Sequence, residues 1–376
     1  MVRKALLVLL NDFQRQWENI RDDALAAFEE VGRSGRYVLG REVAAFEESL
    51  AAAWDRPYAV GVASGLDALE ISLAALGCGP GDKVLTTPLS AFASTLAILK
   101  LRAVPVFVDT DDFGLIDLDR CRSVLRARSD IRFLLPVHLY GHALDMRRLR
   151  ALGDECGCLI VEDCAQSIGA SHNGVPTGAA GRMAATSFYP TKNLGALGDG
   201  GAILTGDLNL ARTARTLRDY GQSAKYRHEL VGYNSRLDEL QAGLLRRVFL
   251  PRLASWQEKR RRIAPRYAEG IRNPNLRMMG APQGSDSCWH LFPVLAEADR
   301  KADFMAWLES RGIGRGEHYP CAIPDQPAMA GVPFESAGPL DTARRICRSE
   351  VSLPIHAYLQ DGEIARVINA CNGWRG

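Results

Sequence analysis

The chain has 376 residues, two to three times the usual size of one domain. Hydrophobic residues make up 47% and charged residues 24%, which excludes long disorder, collagen-like repeats and a coiled-coil rod. The 46 basic and 44 acidic residues give a net charge of +2, so charge gives no sign of nucleic-acid binding. Composition therefore indicates a compact globular protein with two domains, or one large domain and a smaller companion.

The apolar run near the N-terminus is too short for a secretion signal. It covers residues 5–10, and polar side chains follow at once from Asn11. A signal peptide needs about 7 to 15 apolar residues and a cleavage site, and a membrane span needs about 20. We therefore expect a cytoplasmic protein that contacts no membrane. Nine scattered cysteines without zinc-type spacing favour neither a disulfide framework nor a metal site.

In chain order, the first predicted elements are two helices. Apolar residues recur at helical spacing over residues 14–34 and again over 46–53. Short apolar runs then alternate with amphipathic stretches, which is typical of βαβ units. Because these runs are continuously apolar, we expect a mostly parallel sheet between helices, with ligand-binding residues beyond the strands' carboxyl ends. The predicted strands are 83–87, 104–108, 133–135 and 159–161, and the predicted helices are 91–101, 117–127 and 146–156.

The second half of the chain begins with two more predicted strands, 184–188 and 202–204, around a glycine-rich loop. Helices are predicted over 208–218 and 236–268, and Pro251 should kink or break the second. After about residue 274 Pro and Gly become frequent around a short strand, 290–295, and helices at 302–311 and 363–370. We therefore predict a large α/β domain over residues 1–250 and a smaller α+β domain over 251–376.

The most informative segment is SFYPTKNLGALGDGG at residues 187–201, with Lys192 in a loop between two predicted strands. An isolated loop lysine is usually a solvated surface residue. Here the apolar neighbours Phe188, Tyr189 and Leu194 could exclude water from the amine and lower its pKa towards nucleophilic reactivity. The four glycines of the segment permit close approach by a bulky ligand.

A second segment, LIVEDCAQ at residues 159–166, ends a predicted strand with Glu162 and Asp163. Acidic residues at such positions often only cap the next helix. Beside a lysine that binds a cofactor aldehyde, however, a buried carboxylate can keep a pyridine nitrogen protonated, so that the ring accepts electrons. Gln166 either faces the same space from the following turn or caps a helix.

A third segment, ASGLDAL at residues 63–69, places Gly65 at the start of a predicted helix. Free backbone N–H groups and the helix dipole suit a phosphate group there, and Ser64 adds a hydroxyl, although many helices begin in this way. Phe92 follows a predicted strand in PLSAFAST. Its ring either lies over a planar cofactor or packs in the core.

In this order, the segments resemble the DegT/DnrJ/EryC1/StrS family of pyridoxal-phosphate-dependent sugar aminotransferases. The similarity runs from NDFQRQW at residues 11–17, through SGLDALEISLAALGCGPGD, VEDCAQSIGA and SFYPTKNLGALGDGG, to GYNSRLDELQAGLL at 232–245. HYP at 318–320 and LPIH at 353–356 extend it more weakly. The resemblance covers nearly the whole chain. It implies a fold-type-I, aspartate-aminotransferase-like α/β fold with a smaller C-terminal α+β domain.

The resemblance also implies a role for each matching residue. Lys192 matches the lysine that bonds the cofactor aldehyde, and Asp163 matches the acid on the pyridine nitrogen. Phe92 matches the aromatic residue that stacks on the ring, and Gln166 the glutamine near the ring hydroxyl. Phosphate contacts are implied for Gly65, Leu66, Asp67, Ser187 and, from a neighbouring subunit, Asn234, and sugar contacts for Tyr189, Tyr226, His318 and Tyr319.

The activity that the resemblance implies is a ping-pong transamination with pyridoxal phosphate, from glutamate to a nucleotide-linked keto sugar. The enzyme would be a homodimer whose subunits share the active site. GLDAL, with Leu66 where GTDAL is usual, is similar to members that aminate position 3 of a deoxysugar nucleotide. We therefore expect a 3-keto-6-deoxyhexose linked to dTDP as the acceptor.

Four alternatives stay open within the same architecture. The acceptor could be a 4-keto nucleotide sugar or a ketocyclitol. The protein could also be a pyridoxal-phosphate-dependent sugar dehydratase, but such relatives carry His where Lys192 stands. A non-catalytic regulator is the fourth alternative, and the joint presence of Lys192, Asp163, Gln166 and Ser187 argues against it.

Overall fold

The computed structural model describes residues 8–376, so residues 5–7 of the apolar N-terminal run lie outside the described residues. The helices are α1 (Phe13–Ser34), α2 (Arg41–Ala53), α3 (Gly65–Ala75), α4 (Phe92–Lys100), α5 (Leu118–Ala127), α6 (Met146–Cys156), α7 (Leu208–Arg218), α8 (Glu239–Leu244), α9 (Leu253–Gly270), α10 (Lys301–Ser310), α11 (Asp341–Ser349) and α12 (Asp361–Gly373). The strands are β1 (Tyr58–Val62), β2 (Lys83–Thr86), β3 (Val104–Phe107), β4 (Ile131–Leu135), β5 (Leu159–Asp163), β6 (Ser171–His172), β7 (Val175–Pro176), β8 (Met183–Ser187), β9 (Gly201–Thr205), β10 (Gln222–Ala224), β11 (Arg227–His228), β12 (Leu276–Met278), β13 (Ser285–Asp286), β14 (Phe292–Ala296), β15 (Glu335–Ser336) and β16 (Glu350–Leu353).

A central eight-stranded sheet has the strand order β1-β9-β8-β5-β4-β2-β3-β15. The pairs from β8 to β15 are parallel, whereas β9 is antiparallel to both of its neighbours. The parallel strands β2, β3, β5 and β8 are almost wholly buried, because helices cover the sheet, and this explains their continuous apolar runs. The predicted fold, a mostly parallel sheet between helices, is confirmed.

Most of the predicted elements are present, but several elements of the structure were not predicted, among them β1, α11 and β16. The helix predicted over 236–268 begins at Glu239 with α8, and a π-helical turn (Leu245–Phe249) and a 3₁₀ turn (Leu250–Arg252) separate α8 from α9. Pro251 lies in that 3₁₀ turn, so the predicted interruption is present.

The C-terminal part forms an antiparallel sheet, β12-β14-β16, against α9, α10 and α12. Two segments leave the part to which they belong in the sequence and pack against the other part. Val8 is buried in the C-terminal core and pairs with Ile313, and β15 extends the large sheet beside β3. The division into residues 1–250 and 251–376 stays a prediction. Val8 and β15 would hold the two parts together. In the stretch from residue 8 onwards, every helix falls short of the length and apolarity that a membrane span requires.

Candidate active site

The carboxyl ends of β5 and β8 bring two of the predicted residues to one edge of the sheet. β5 ends at Asp163 and its parallel neighbour β8 ends at Ser187. The start of α3 lies against the same edge, because a Cβ atom on Gly65 would lie only 2.6 Å from the Cβ of Ser187. A larger residue than glycine would therefore separate the helix start from the sheet.

The first turn of α3 is held by a small network of side chains. Ser64 accepts a hydrogen bond at Oγ from the backbone N–H of Asp67 over 3.1 Å. The Asp67 carboxylate accepts one from Ser235 Oγ over 2.8 Å, and Ser235 Oγ accepts one from the N–H of Ala63 over 3.1 Å. The first N–H groups of a helix have no acceptor inside the helix, so this fixed turn suits an anion.

Asp163 and Glu162 point to opposite faces of β5, as neighbouring side chains of a strand do. Asp163 accepts hydrogen bonds from Ser94 Oγ over 2.8 Å and from the N–H of Ala165 over 3.0 Å. Glu162 instead lies 2.9 Å from Nε2 of buried His138. It also accepts three backbone N–H groups, which makes its role structural; they belong to Gly178, Ala180 and Gly181.

Gln166 contacts Tyr319, a predicted site residue that is far away in the sequence, and also Tyr140, which was not predicted. Its Oε1 accepts a hydrogen bond from the N–H of Tyr140 over 2.7 Å, and its Nε2 donates to Tyr319 Oη over 3.2 Å. The Tyr140 hydroxyl donates to the carbonyl of His318 over 2.6 Å. Phe92, the first residue of α4, is partly exposed two residues before Ser94.

Lys192 lies in the loop between β8 and β9. Burial lowers the pKa of its amine to about 8, against the opposing attraction of Asp163. Nζ forms no hydrogen bond with any residue from 8 to 376, and the side chain keeps part of its surface accessible. The positive charge of Lys192 also helps burial to lower the pKa of His318 to about 4, so the two groups share one electrostatic environment. The predicted desolvation of this lysine is present.

Two small clefts meet beside this lysine. One is lined by Lys192, Arg260 and His356, and the other by His290 and His318. Asn11 and Thr191 border both clefts. A larger cavity lies between α2, β1 and α7, but none of the predicted site residues lines it.

Three of the predicted residues lie on the outer surface of the chain. Tyr189 is 52% exposed and Tyr226, on the β10–β11 hairpin, is 83% exposed. Asn234 is exposed, and its Oδ1 accepts a hydrogen bond from Arg236 over 2.5 Å. Tyr226 and Asn234 hydrogen-bond to none of the other predicted site residues within the described part of the chain.

Some residues around the site were not predicted from the sequence. Ser94 holds Asp163, and a signal was available, since Ser94 follows Phe92 in the same segment. His290 is buried with its Nδ1 3.2 Å from Asn193 Oδ1, next to Lys192, whose charge helps burial to keep the pKa of His290 well below its usual value. The sequence marked His290 only as the start of a strand.

Residues 18–372 match the model of the DegT/DnrJ/EryC1/StrS aminotransferase family. The chain belongs to this family. It is 43% identical over 366 residues to the dTDP-3-amino-3,4,6-trideoxy-alpha-D-glucose transaminase of Streptomyces venezuelae, covering 96% of this chain and 95% of the relative. The predicted family and the predicted class of enzyme, an aminotransferase, are confirmed.

Two solved structures are similar over most of their length. The structure of S. venezuelae DesV in complex with a ketimine intermediate has a TM-score of 0.93 and 41% identity and covers 99% of both chains. Bacillus subtilis NtdA with bound cofactor PMP has a TM-score of 0.85 and 28% identity, over 94% of this chain and 81% of its own. PMP is the aminated form of the cofactor that the sequence predicts.

Proposed function

We propose that this aminotransferase moves an amino group from glutamate to a keto sugar linked to a nucleotide, with a dTDP-linked 3-keto-6-deoxyhexose as the acceptor. Its cofactor is pyridoxal phosphate. The observation that carries the proposal is the buried amine of Lys192, which feels the charge of Asp163, has a pKa of about 8 and has no hydrogen-bond partner among the described residues. The name of the Streptomyces relative supports the choice of sugar.

The residues around Lys192 fit pyridoxal phosphate in three respects. The unpartnered amine suits a bond to the cofactor aldehyde. Asp163 is held by Ser94 and Ala165, so its carboxylate is fixed in place for a pyridine nitrogen. The start of α3 at Gly65, beside Ser187, suits the phosphate, because an anion there meets free N–H groups and the helix dipole.

When bound, pyridoxal phosphate supplies a ring that withdraws electrons from the carbon that carries the transferred amine. Lys192 Nζ takes the proton from that carbon of glutamate and returns a proton during transfer to the sugar, since a pKa near 8 lets the amine both accept and donate at neutral pH. Asp163 keeps the proton on the ring nitrogen. When the cofactor is bound, Phe92 would stack on its ring and Gln166 would lie near the ring hydroxyl.

The phosphate and sugar contacts complete the proposal. Gly65, Leu66 and Asp67 would hold the phosphate at the helix start, together with Ser187. Leu66 offers its backbone N–H but no hydroxyl. The sugar lies near His318 and Tyr319 in the cleft and near the exposed side chains of Tyr189 and Tyr226.

The functional unit of the proposal is a homodimer whose subunits share the active site. Asn234 of the partner subunit would contact the phosphate, which is consistent with its exposed position in one chain. Large apolar side chains are also exposed on the neighbouring segment, where Val231 is 100% exposed and Tyr226 83%. Burial of such residues favours association. The cytoplasmic location stays a prediction from the sequence.

The proposal is tested by the absorbance spectrum of the purified protein, before and after glutamate and then after each of several keto sugars. We expect the band of the bound cofactor to shift with glutamate and to return with a dTDP-linked 3-keto-6-deoxysugar. Return only with a 4-keto sugar or a ketocyclitol would correct the acceptor. A band that ignores glutamate would refute the proposed donor, and a non-catalytic regulator would give no response to any donor and acceptor pair.

A further inference from the structure

A buried carboxyl group lies behind His318, in the small sheet of the C-terminal part. Glu350 begins β16 and is fully buried. One carboxyl oxygen accepts the backbone N–H of His318 over 2.6 Å, and the other accepts the Ser352 hydroxyl over 2.5 Å. Ser352 Oγ in turn lies 2.9 Å from Nδ1 of His318. Glu350 therefore touches both the backbone of His318 and, through Ser352, its ring.

The single hydroxyl hydrogen of Ser352 determines which ring nitrogen of His318 is protonated. A serine hydroxyl has one hydrogen, and with Glu350 ionised that hydrogen is given to the carboxylate. Ser352 Oγ can then only accept from the ring, so Nδ1 of His318 carries the ring proton. Since burial beside Lys192 lowers the pKa of His318 to about 4, the ring is neutral. Nε2 must therefore have a free lone pair.

His318 borders a cleft, and because Ser352 occupies Nδ1, Nε2 is the ring nitrogen left for a ligand there. His318 lines this cleft with Thr191 and His290, and its Nε2 forms no hydrogen bond with any residue from 8 onwards. An unprotonated ring nitrogen accepts hydrogen bonds and cannot donate one. A ligand in the cleft must consequently present a donor, such as a hydroxyl group, to His318.

We propose that Glu350 and Ser352 are positioning residues that hold His318 as the Nδ1–H tautomer, so that Nε2 accepts a hydrogen bond from a sugar hydroxyl. The second half of this inference rests on the proposed function, whereas the tautomer does not. Protonation of Glu350 reverses the chain of donors: the carboxyl group donates to Ser352, Ser352 donates to Nδ1, and the ring proton moves to Nε2. One added proton on Glu350 thus converts His318 from an acceptor into a donor towards the cleft.

This switch lies within the working pH range, because burial raises the pKa of Glu350 to about 7. The nearest cation does not neutralise Glu350 directly, since Lys301 Nζ is held by Glu317 over 2.7 Å and by the carbonyl of Cys347 over 2.9 Å. The titratable groups that face Glu350 are those of His318, Lys301, Glu317, Tyr140, Tyr319 and Cys347.

The tautomer is measured by ¹⁵N NMR of the full-length protein labelled at histidine, because protonated and unprotonated ring nitrogens give separate signals. His318→Asn identifies the signals of His318. We expect Nδ1–H in the wild type at pH 8 and conversion to Nε2–H as the pH falls through about 7. In Glu350→Gln the amide NH₂ must donate to Ser352, so we expect Nε2–H at every pH.

Glu317→Gln is the matched control, since it removes a neighbouring carboxylate that does not touch the ring. It should keep Nδ1–H at pH 8. An Nε2–H signal in the wild type at pH 8, or an Nδ1–H signal in Glu350→Gln, would overturn the tautomer assignment. The pH titration of the wild type tests the assignment even where a variant folds poorly.

Kinetics test the sugar contact separately. In Glu350→Gln we expect KM for the keto sugar to rise about tenfold, the value of one hydrogen bond of about 1.4 kcal/mol, with an unchanged glutamate half-reaction. Glu317→Gln should leave both unchanged. An unchanged KM despite a switched tautomer would refute the contact with the sugar. Failure of the proposed function would show instead as a wild-type enzyme that aminates no keto sugar, whatever the tautomer.

Discussion

Asp163→Asn removes the negative charge of this residue but preserves its hydrogen bonds. Asparagine has the same shape, and its carbonyl can still accept the N–H of Ala165, while its NH₂ group can donate to Ser94 Oγ. Ser94 Oγ can then donate to Ser90 Oγ, which lies 2.8 Å away. We therefore expect a loss of at most about 1 kcal/mol in the free energy of unfolding.

The same substitution should nearly abolish transamination, because the pyridine nitrogen loses its buried negative partner. Removing one member of a buried ion pair costs about 3–5 kcal/mol, and each 1.36 kcal/mol is tenfold in rate, so the rate should fall by about 10² to 10⁴. The assay is the single-turnover half-reaction with glutamate, followed by absorbance.

Ser94→Ala is the matched comparison for this prediction, since it removes a hydrogen bond to Asp163 and leaves the charge. A hydrogen bond to a charged group contributes about 1.5–3 kcal/mol, so the rate should fall by about tenfold to a hundredfold, less than in Asp163→Asn. A half-reaction of Asp163→Asn within about threefold of the wild type would refute the role of the charge.

Three further predictions follow from the site. Lys192→Ala should retain bound cofactor after dialysis but lose turnover. In the wild-type apo-protein, the rate of reaction with free pyridoxal phosphate should fall about tenfold per pH unit below pH 8, because only the neutral amine of Lys192 reacts. Gly65→Ala should raise the Kd for the cofactor at least about tenfold, since a Cβ atom would lie 2.6 Å from Ser187 Cβ, whereas Gly32→Ala meets open space and should not change it; equal Kd values would refute the close approach. Val231→Asp should shift the protein from dimer to monomer in light scattering, because Val231 is 100% exposed in one chain, and a dimer that is unaffected would place the interface elsewhere.

Much of the large sheet could be predicted from the sequence because its signals are local. Helices α5 and α6 have apolar residues at helical spacing and an aspartate cap, at Asp117 and Asp145, and both were predicted within a residue or two. Asp163 was found because it ends a buried strand, and Lys192 because it lies among apolar and glycine residues in the loop between two predicted strands. Their roles, however, came from the resemblance to a family and not from the apolar pattern.

The part of the site behind His318 could not be predicted from local patterns. Helix α11 is highly charged, and β16 begins with the buried Glu350, so neither element gives a plain apolar run. The role proposed for Glu350 depends on its contacts with His318, which lies 32 residues away in the chain. Similarly, Tyr140 meets His318 across 178 residues, and only the folded chain brings these groups together.

The charges of the site also bear on the proposed dimer. Burial and Lys192 together keep His290 and His318 neutral at the pH where the amine of Lys192 itself titrates. The predicted phosphate contacts within one chain include no lysine or arginine, and one of them, Asp67, is acidic. A phosphate at the start of α3 would therefore depend on backbone N–H groups, the helix dipole, the Ser187 hydroxyl and, in the proposed dimer, donors from the second subunit. The exposed amide of Asn234 is a suitable donor for the site of a second copy, so cofactor affinity and dimer formation should weaken together.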